Sequence, residues 1–209
     1  MLHLVKVPLR SDKLASFAKQ RGVRLRDLDD GYLVHSVLRE IWQEQAPAPF
    51  VLRGGGRTTS VWGYSSSPAS QLVDHARAFG DPSVLAVLDG LDAIASKEMP
   101  VFDAGRRVGF LARLCPVVRL AKATSTHRAG AEVVVFLARC FAAGTDVTIS
   151  RDDAYRSWFA DRFRGAAATG ATLAQVRVAG IARRRVVRRT QGSVREAKVL
   201  ERPDVHVDG

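Results

Sequence analysis

The sequence lacks several features that would place it outside the ordinary globular proteins. Cysteine occurs only at Cys115 and Cys140, too few for a disulfide framework and without metal-ligand spacing, so both are expected to be small buried residues. No apolar run approaches the roughly 20 residues that a membrane helix needs. Residues 1–10 alternate apolar and polar side chains, which predicts a strand rather than a signal peptide. The sequence therefore predicts a cytoplasmic protein without membrane contact.

Aromatic and metal-binding patterns are also scarce. Aromatic residues make up 7% of the chain and show no RNP-type run, which argues against a sheet that reads single-stranded RNA through stacked aromatics. No carboxylate or His/Cys cluster has the spacing of a metal site, so we predict neither a metal nor another cofactor.

Acidic residues are outnumbered. The chain has 32 Lys and Arg against 21 Asp and Glu, a net charge of +11. Residues 176–202 hold eight Arg and one Lys against two Glu, a local net charge of +7. A protein with this charge is attracted to polyanions, and nucleic acid or an anionic membrane surface are the usual candidates.

The first half of the chain predicts strand, helix, strand, strand, helix, strand, the ferredoxin-like βαββαβ order. The expected strands are residues 2–9, 50–53, 60–65 and 107–118, and the expected helices are residues 12–20, 32–45, 68–79 and 84–94. The second half predicts a helix from Ser150 and strands at 176–181, 185–189 and 205–207, with residues 133–141 ambiguous. We expect an α+β protein of two tandem ferredoxin-like domains, residues 1–118 and 119–209.

The helix from Tyr32 to about Gln45 is strongly amphipathic. On a wheel of 100° per residue, its apolar residues gather on one side, and Tyr32, His35, Ser36, Arg39 and Gln43 gather on the other, with Trp42 beside His35. Asp30 is the expected N-cap. His35 is therefore predicted to be exposed, one turn after Tyr32 and one turn before Arg39.

These three residue types suit RNA cleavage. A ribose 2′-hydroxyl that attacks its own phosphodiester must lose a proton, and the departing 5′-oxygen must gain one. Histidine titrates near neutrality and can do either, tyrosine can share a proton, and arginine can offset phosphorane charge. A lone histidine on a polar helix face is more often a solvated surface residue, and that reading stays open. The other four histidines are expected to be structural or surface residues: His3, His75, His127 and His206.

The basic segment reads as an edge strand or a protruding hairpin. In an extended chain, Arg183, Arg185 and Arg189 share one face, while Arg184 and Arg188 share the other. Charge on both faces excludes a buried strand. Guanidinium groups so arranged can bind a phosphate backbone, although a solvated edge that deters aggregation has the same pattern.

Several segments together resemble CasE-type CRISPR RNA-processing endoribonucleases, and the likeness runs in order along nearly the whole chain. The segment resembling the catalytic helix is Asp-Gly-Tyr32-Leu-Val-His35-Ser-Val-Leu-Arg39, with Y-x-x-H spacing. The other matching segments are Ala-Pro-Phe50, Val-Trp-Gly-Tyr64-Ser, Phe110 to Arg119, Tyr155-Arg-Ser-Trp158, Gly180 to Arg189, and Pro203 to Gly209.

The resemblance implies metal-independent cleavage at the base of a CRISPR repeat stem-loop, leaving a 2′,3′-cyclic phosphate. It implies Tyr32 and His35 as the catalytic pair, with the basic segment against the RNA stem. It also implies that the protein keeps its cut guide RNA and joins other subunits of a type I-E Cascade complex. The family's C-terminal Gly-rich loop has no counterpart here, so the second domain is expected to be incomplete.

Two other functions remain open at this stage. A related protein without cleavage activity could hold an RNA hairpin as a structural subunit. A DNA-binding regulator could use the same basic segment, although no helix-turn-helix spacing supports it.

Overall fold

The structure, a computed structural model, describes residues 1–21, 30–55, 58–144, 148–165, 170–189 and 197–209. The side chains of 55, 58, 165, 185, 187–189 and 197–199 lie outside the described part. The chain divides into two compact units, one of Met1–Ala104 with Val186–Val199 and one of Gly105–Arg185 with Leu200–Gly209. Both combine helices with antiparallel strands, which confirms the predicted α+β class.

The first unit contains the complete ferredoxin-like order. Its strands form one antiparallel sheet in the order β2-β3-β1-β4, with the long strand β1 in the interior. Its elements in chain order are β1 (His3–Arg10), α1 (Ser11–Gln20), α2 (Asp30–Trp42), β2 (Phe50–Gly55), β3 (Thr58–Ser65), α3 (Ala69–Phe79), α4 (Pro82–Leu85) and β4 (Ala95–Glu98).

The sheet buries one face because apolar residues occupy every second position of its long strand β1. Val5, Val7 and Leu9 of β1 are fully buried, and Val7 lies opposite the buried Val61 of β3. Side chains two residues apart on a strand share a face, so these residues form a continuous apolar floor. The apolar sides of α1, α2 and α3 pack on that floor and complete the core.

Two predicted elements of this unit are wrong. Residues 84–94 form only the short α4 and an isolated 3₁₀ turn at Leu91–Ala93 rather than a helix. The strand that closes the first sheet is β4 rather than residues 107–118. Its residues, Ala-Ser-Lys-Glu, are all exposed and none is β-branched. No hydrophobic pattern therefore predicts this strand, and it forms because its backbone pairs with β1.

The second unit is built around a three-stranded sheet in the order β5-β9-β8, with a separate pair β6-β7. The ambiguous stretch 133–141 divides between strand β7 and helix α5. The remaining elements of the chain are β5 (Leu111–Leu114), β6 (Val117–Arg119), β7 (Glu132–Val134), α5 (Val135–Ala143), α6 (Arg151–Gly165), β8 (Arg177–Arg189) and β9 (Ala197–Asp208). Residues 186–189 of β8 and 197–199 of β9 belong to the first unit.

The second core lies between this sheet and the two helices. Val205 and Val207 of β9 are fully buried and pack with Val135 and Tyr155. Helix α6 begins as predicted, because the Ser150 hydroxyl accepts a hydrogen bond from the Asp153 amide at 3.3 Å. The expectation that both cysteines are buried is wrong, since Cys115 is exposed and Cys140 is half-buried.

Candidate functional site

The exposed side of α2 carries the predicted set of polar residues. His35 and Arg39 are exposed and Tyr32 is half-buried, whereas Val34 and Val37 are fully buried against the sheet. Residues three or four apart on a helix have Cβ atoms about 5–6 Å apart, so Tyr32 and Arg39 flank the imidazole on either side. The predicted wheel is confirmed for these residues.

The first turns of α2 are held by local hydrogen bonds. The Ser36 hydroxyl donates to the carbonyl oxygen of Tyr32 at 3.0 Å, one turn earlier. Asp30 is already helical rather than the cap that the sequence predicts. Its carboxylate lies in the first described turn, where the partial positive charge of a helix N-terminus favours a negative group.

Arg39 is engaged by a carboxylate beyond the end of α2. Its guanidinium donates two hydrogen bonds to Glu44, at 3.1 and 2.6 Å. These bonds raise the pKa of Arg39 and lower the pKa of Glu44. Both side chains are largely exposed, so a phosphate of a bound polyanion can compete with Glu44 for the guanidinium.

Trp42 does not lie beside His35 on the surface, and this prediction is wrong. The indole is fully buried and its Nε1 donates to the carbonyl oxygen of Leu72 on α3 at 2.7 Å. Helix α3 packs against this end of α2. The side of α2 that is exposed at His35 is therefore covered by α3 at Trp42, two turns later.

The basic segment is an edge strand, as predicted. Strand β8 lies at the edge of the second sheet beside β9. Arg183 is exposed, with its guanidinium 3.9 Å from the Glu201 carboxylate, and Arg184 is half-buried. The side chains of Arg185, Arg188 and Arg189, which the sequence also assigns to RNA binding, lie outside the described part of the structure.

Carboxylates of β9 pair with arginines of both neighbouring strands. Asp204 accepts two hydrogen bonds from Arg113 of β5, each 2.5 Å long, and Asp208 accepts two from Arg177 of β8 at 2.9 and 2.8 Å. These hydrogen bonds lower the pKa of both carboxyl groups. Part of the local positive charge is therefore compensated within the sheet.

The remaining histidines have the surroundings of structural or surface residues. His75 packs on Phe79 with ring centroids 5.1 Å apart, and His127 lies 2.8 Å from the Thr126 hydroxyl. His206 is 3.6 Å from Asp204 on the second sheet. Helical spacing within residues 68–79 also predicts Phe79 on the apolar side of α3, and this prediction is wrong, since Phe79 is 77% exposed.

Comparisons with known proteins identify the family of the chain and a similar fold. A family model described as CRISPR associated protein matches residues 2–209. The chain belongs to the CRISPR-associated protein family. Among solved structures, it is similar to the CRISPR endoribonuclease Cse3 bound to 19 nt RNA, with 20% identity and a TM-score of 0.56. The match covers 100% of this chain and 83% of that chain. No curated protein sequence matches it.

The family match and the structural likeness confirm the resemblance to CasE-type CRISPR proteins that the sequence predicts. They also confirm the fold class, α+β with tandem ferredoxin-like domains. At 20% identity the structural likeness concerns the fold. The roles of Tyr32, His35 and the arginines in this CRISPR-associated protein therefore remain proposals.

Two aromatic residues of β3 form a surface feature that the sequence analysis missed. Trp62 and Tyr64 lie on the face of the first sheet opposite the helices, and Tyr64 is exposed. The alternation Trp-Gly-Tyr within a strand could have indicated it, because residues two apart point to the same side. Overall aromatic content is too coarse a measure to reveal such a pair, so a low aromatic content does not exclude stacking of bases on this sheet.

Neither a metal cluster nor a membrane helix is found in the described ranges. Among these residues, no three His, Cys, Asp or Glu side chains converge as metal ligands would. None of the described helices is long and apolar enough to cross a membrane.

Proposed function

We propose that this CRISPR-associated protein is a metal-independent endoribonuclease. It cleaves CRISPR precursor RNA at the base of the repeat stem-loop and leaves a 2′,3′-cyclic phosphate. It then stays bound to the mature guide RNA hairpin within a Cascade complex. The observation that carries this proposal is the exposed imidazole of His35, flanked on the same helix by Tyr32 and Arg39.

The reaction needs two proton transfers, and α2 offers two groups for them. The ribose 2′-oxygen attacks phosphorus and loses its proton to a base, while the bond to the 5′-oxygen breaks and an acid protonates that oxygen. The imidazole and the phenol hydroxyl can divide these two roles between them, because they lie one turn apart. A guanidinium beside them stabilises the charge that develops on the phosphorane oxygens.

Binding of the RNA stem is assigned to the basic strand. Arg183 is exposed on the edge strand β8 next to Arg184, and Arg185, Arg188 and Arg189 follow in the sequence. A guanidinium group can make two parallel hydrogen bonds to one phosphate, so a row of them suits a duplex backbone. The RNA-bound state of the structurally similar Cse3 supports an RNA partner for this chain as well.

The test is cleavage of a labelled repeat hairpin by the purified protein. We expect His35→Ala to lower the cleavage rate by about 10²–10⁴-fold while leaving hairpin affinity nearly unchanged, since general acid–base catalysis contributes this much. His127→Ala is the matched control and should cleave at the normal rate, because this imidazole contacts the Thr126 hydroxyl at 2.8 Å and has no proposed part in the reaction. Mass spectrometry of the 5′ fragment should show a cyclic phosphate.

The same assay separates the competing functions. A chelator should leave cleavage unchanged, and a requirement for added magnesium would refute the proposed chemistry. Tight binding with the RNA left intact would identify a hairpin-binding subunit without cleavage activity. Equal affinity for duplex DNA and for the RNA hairpin, at matched salt, would favour a DNA-binding protein.

A further inference from the structure

The first sheet has one face that the helices leave uncovered. The helices α1, α2 and α3 pack against the face that carries Val5, Val7 and Val61. Because neighbouring residues of a strand point to opposite sides, Lys6 of β1 and Trp62 of β3 lie on the other face. They are paired directly across the two strands. We call this side the open face of the first sheet.

The Trp62 ring lies between two cations on this face. The Lys6 ammonium is 5.7 Å from the ring centroid, and the Arg53 guanidinium, contributed by β2, is 5.5 Å from it. Both distances are within the range of cation–π attraction. Tyr64, two residues further along β3, is 36% exposed on the same side. Two aromatic rings and two cations thus occupy adjacent positions of the open face.

The charge of the open face has one sign. Lys97 of β4 lies opposite Leu4 in the sheet and so shares the face with Lys6 and Arg53. Among the strand residues of this sheet that the structure describes, no carboxylate lies on the open face, since Glu98 pairs with His3 on the helix side. A partner that matches this face must combine negative charge with flat rings, and single-stranded nucleic acid does so at every nucleotide.

We propose that the open face binds unpaired RNA nucleotides, with bases stacked on Trp62 and Tyr64 and phosphates contacted by Lys6, Arg53 and Lys97. This inference rests on the proposed function only in naming RNA, the substrate of the nuclease, as the polyanion. Residues two apart on a strand are about 6–7 Å apart, which leaves room for two successive bases that are unstacked from each other. The unpaired nucleotides beside the repeat hairpin are the natural occupants.

The probe is a fluorescent oligouridylate of about ten nucleotides, a length within the range one such surface covers. It has no hairpin, so its binding is independent of cleavage. We expect Trp62→Ala to weaken binding by about 5- to 150-fold, the range for loss of one stacked base, and Trp62→Phe to retain most of it. Tyr64→Ala is the second variant, since this exposed ring can be removed without disturbing the core. Lys97→Ala should reduce the salt dependence of binding.

The control is Phe79→Ala, which removes a more exposed ring on α3 and should leave oligouridylate affinity unchanged. Melting temperatures verify that each variant is folded. The inference is overturned if the unmodified protein does not bind the oligouridylate, or if folded Tyr64→Ala and Trp62→Ala proteins bind it as the unmodified protein does. We expect His35→Ala to lose hairpin cleavage and to bind the oligouridylate normally, which would show that the two activities depend on different residues. If the unmodified protein binds the oligouridylate but does not cleave the hairpin, only the nuclease proposal is refuted.

Discussion

At the scale of single residues, the guanidinium next to the imidazole of α2 is already bound to a carboxylate. Arg39 makes two hydrogen bonds to Glu44, and both side chains are largely exposed. An exposed ion pair of this kind contributes little to stability, because water screens both charges. A phosphate can therefore displace Glu44, but at a cost that lowers the affinity of Arg39 for RNA.

This competition predicts that Glu44→Gln binds the repeat hairpin more tightly than the unmodified protein, by about two- to fivefold, because Arg39 is then free of an ion pair that RNA would have to break. Glu40→Gln is the control, since it removes the same charge, here from α2 itself, but releases Arg21 instead of Arg39. Fluorescence anisotropy at fixed salt measures both affinities. Equal tightening by the two variants would mean that only net charge matters.

At the scale of elements, β9 is stabilised by carboxylates that bind arginines on both sides. Asp204 is only 16% exposed and its pKa is lowered by the hydrogen bonds from Arg113. An unfolded Asp titrates near pH 3.9. The pair therefore stabilises the folded state fully above about pH 4, and this contribution is lost as the pH falls through the lower pKa of the folded state.

We accordingly expect Asp204→Asn to lower the melting temperature at pH 7 by roughly 2–8 °C, corresponding to about 1–2 kcal/mol. The difference from the unmodified protein should shrink towards zero as the pH falls well below 4. Asp208→Asn should have a smaller effect at pH 7, because the Arg177 side chain that binds Asp208 is 71% exposed. Calorimetric scans from pH 2 to pH 7 test this, and a pH-independent difference would contradict it.

Elements with a strong internal pattern could be predicted from the sequence, and elements defined by a neighbour could not. Alternation located β1 and β3, and helical periodicity located the exposed side of α2 with His35. Strand β4 has no pattern of its own and exists because β1 offers it an edge. The buried Trp42 was misplaced for the same reason, since α3 covers one end of a helix face that the wheel treats as uniform.

At the scale of the whole molecule, the net charge of +11 should govern RNA affinity. The logarithm of the binding constant falls with the logarithm of salt concentration, by about 0.7–0.9 for each phosphate contact. We expect Arg183→Ala to reduce this slope for the repeat hairpin by about 1. Arg77→Ala, which removes an α3 arginine that is paired with Asp92, should leave the slope unchanged. Equal slopes for both variants would remove Arg183 from the interface.

The interior position of β1 has a consequence for synthesis on the ribosome. His3 pairs with Ser65 and with Glu98, so β1 needs partners that are translated far later than β1 itself. At about 5–20 residues per second, the nascent β1 waits roughly 5–20 s before its last partner has been made. During that interval an extended apolar segment is exposed on both edges, and we expect chaperones that bind nascent chains to hold it until β4 emerges.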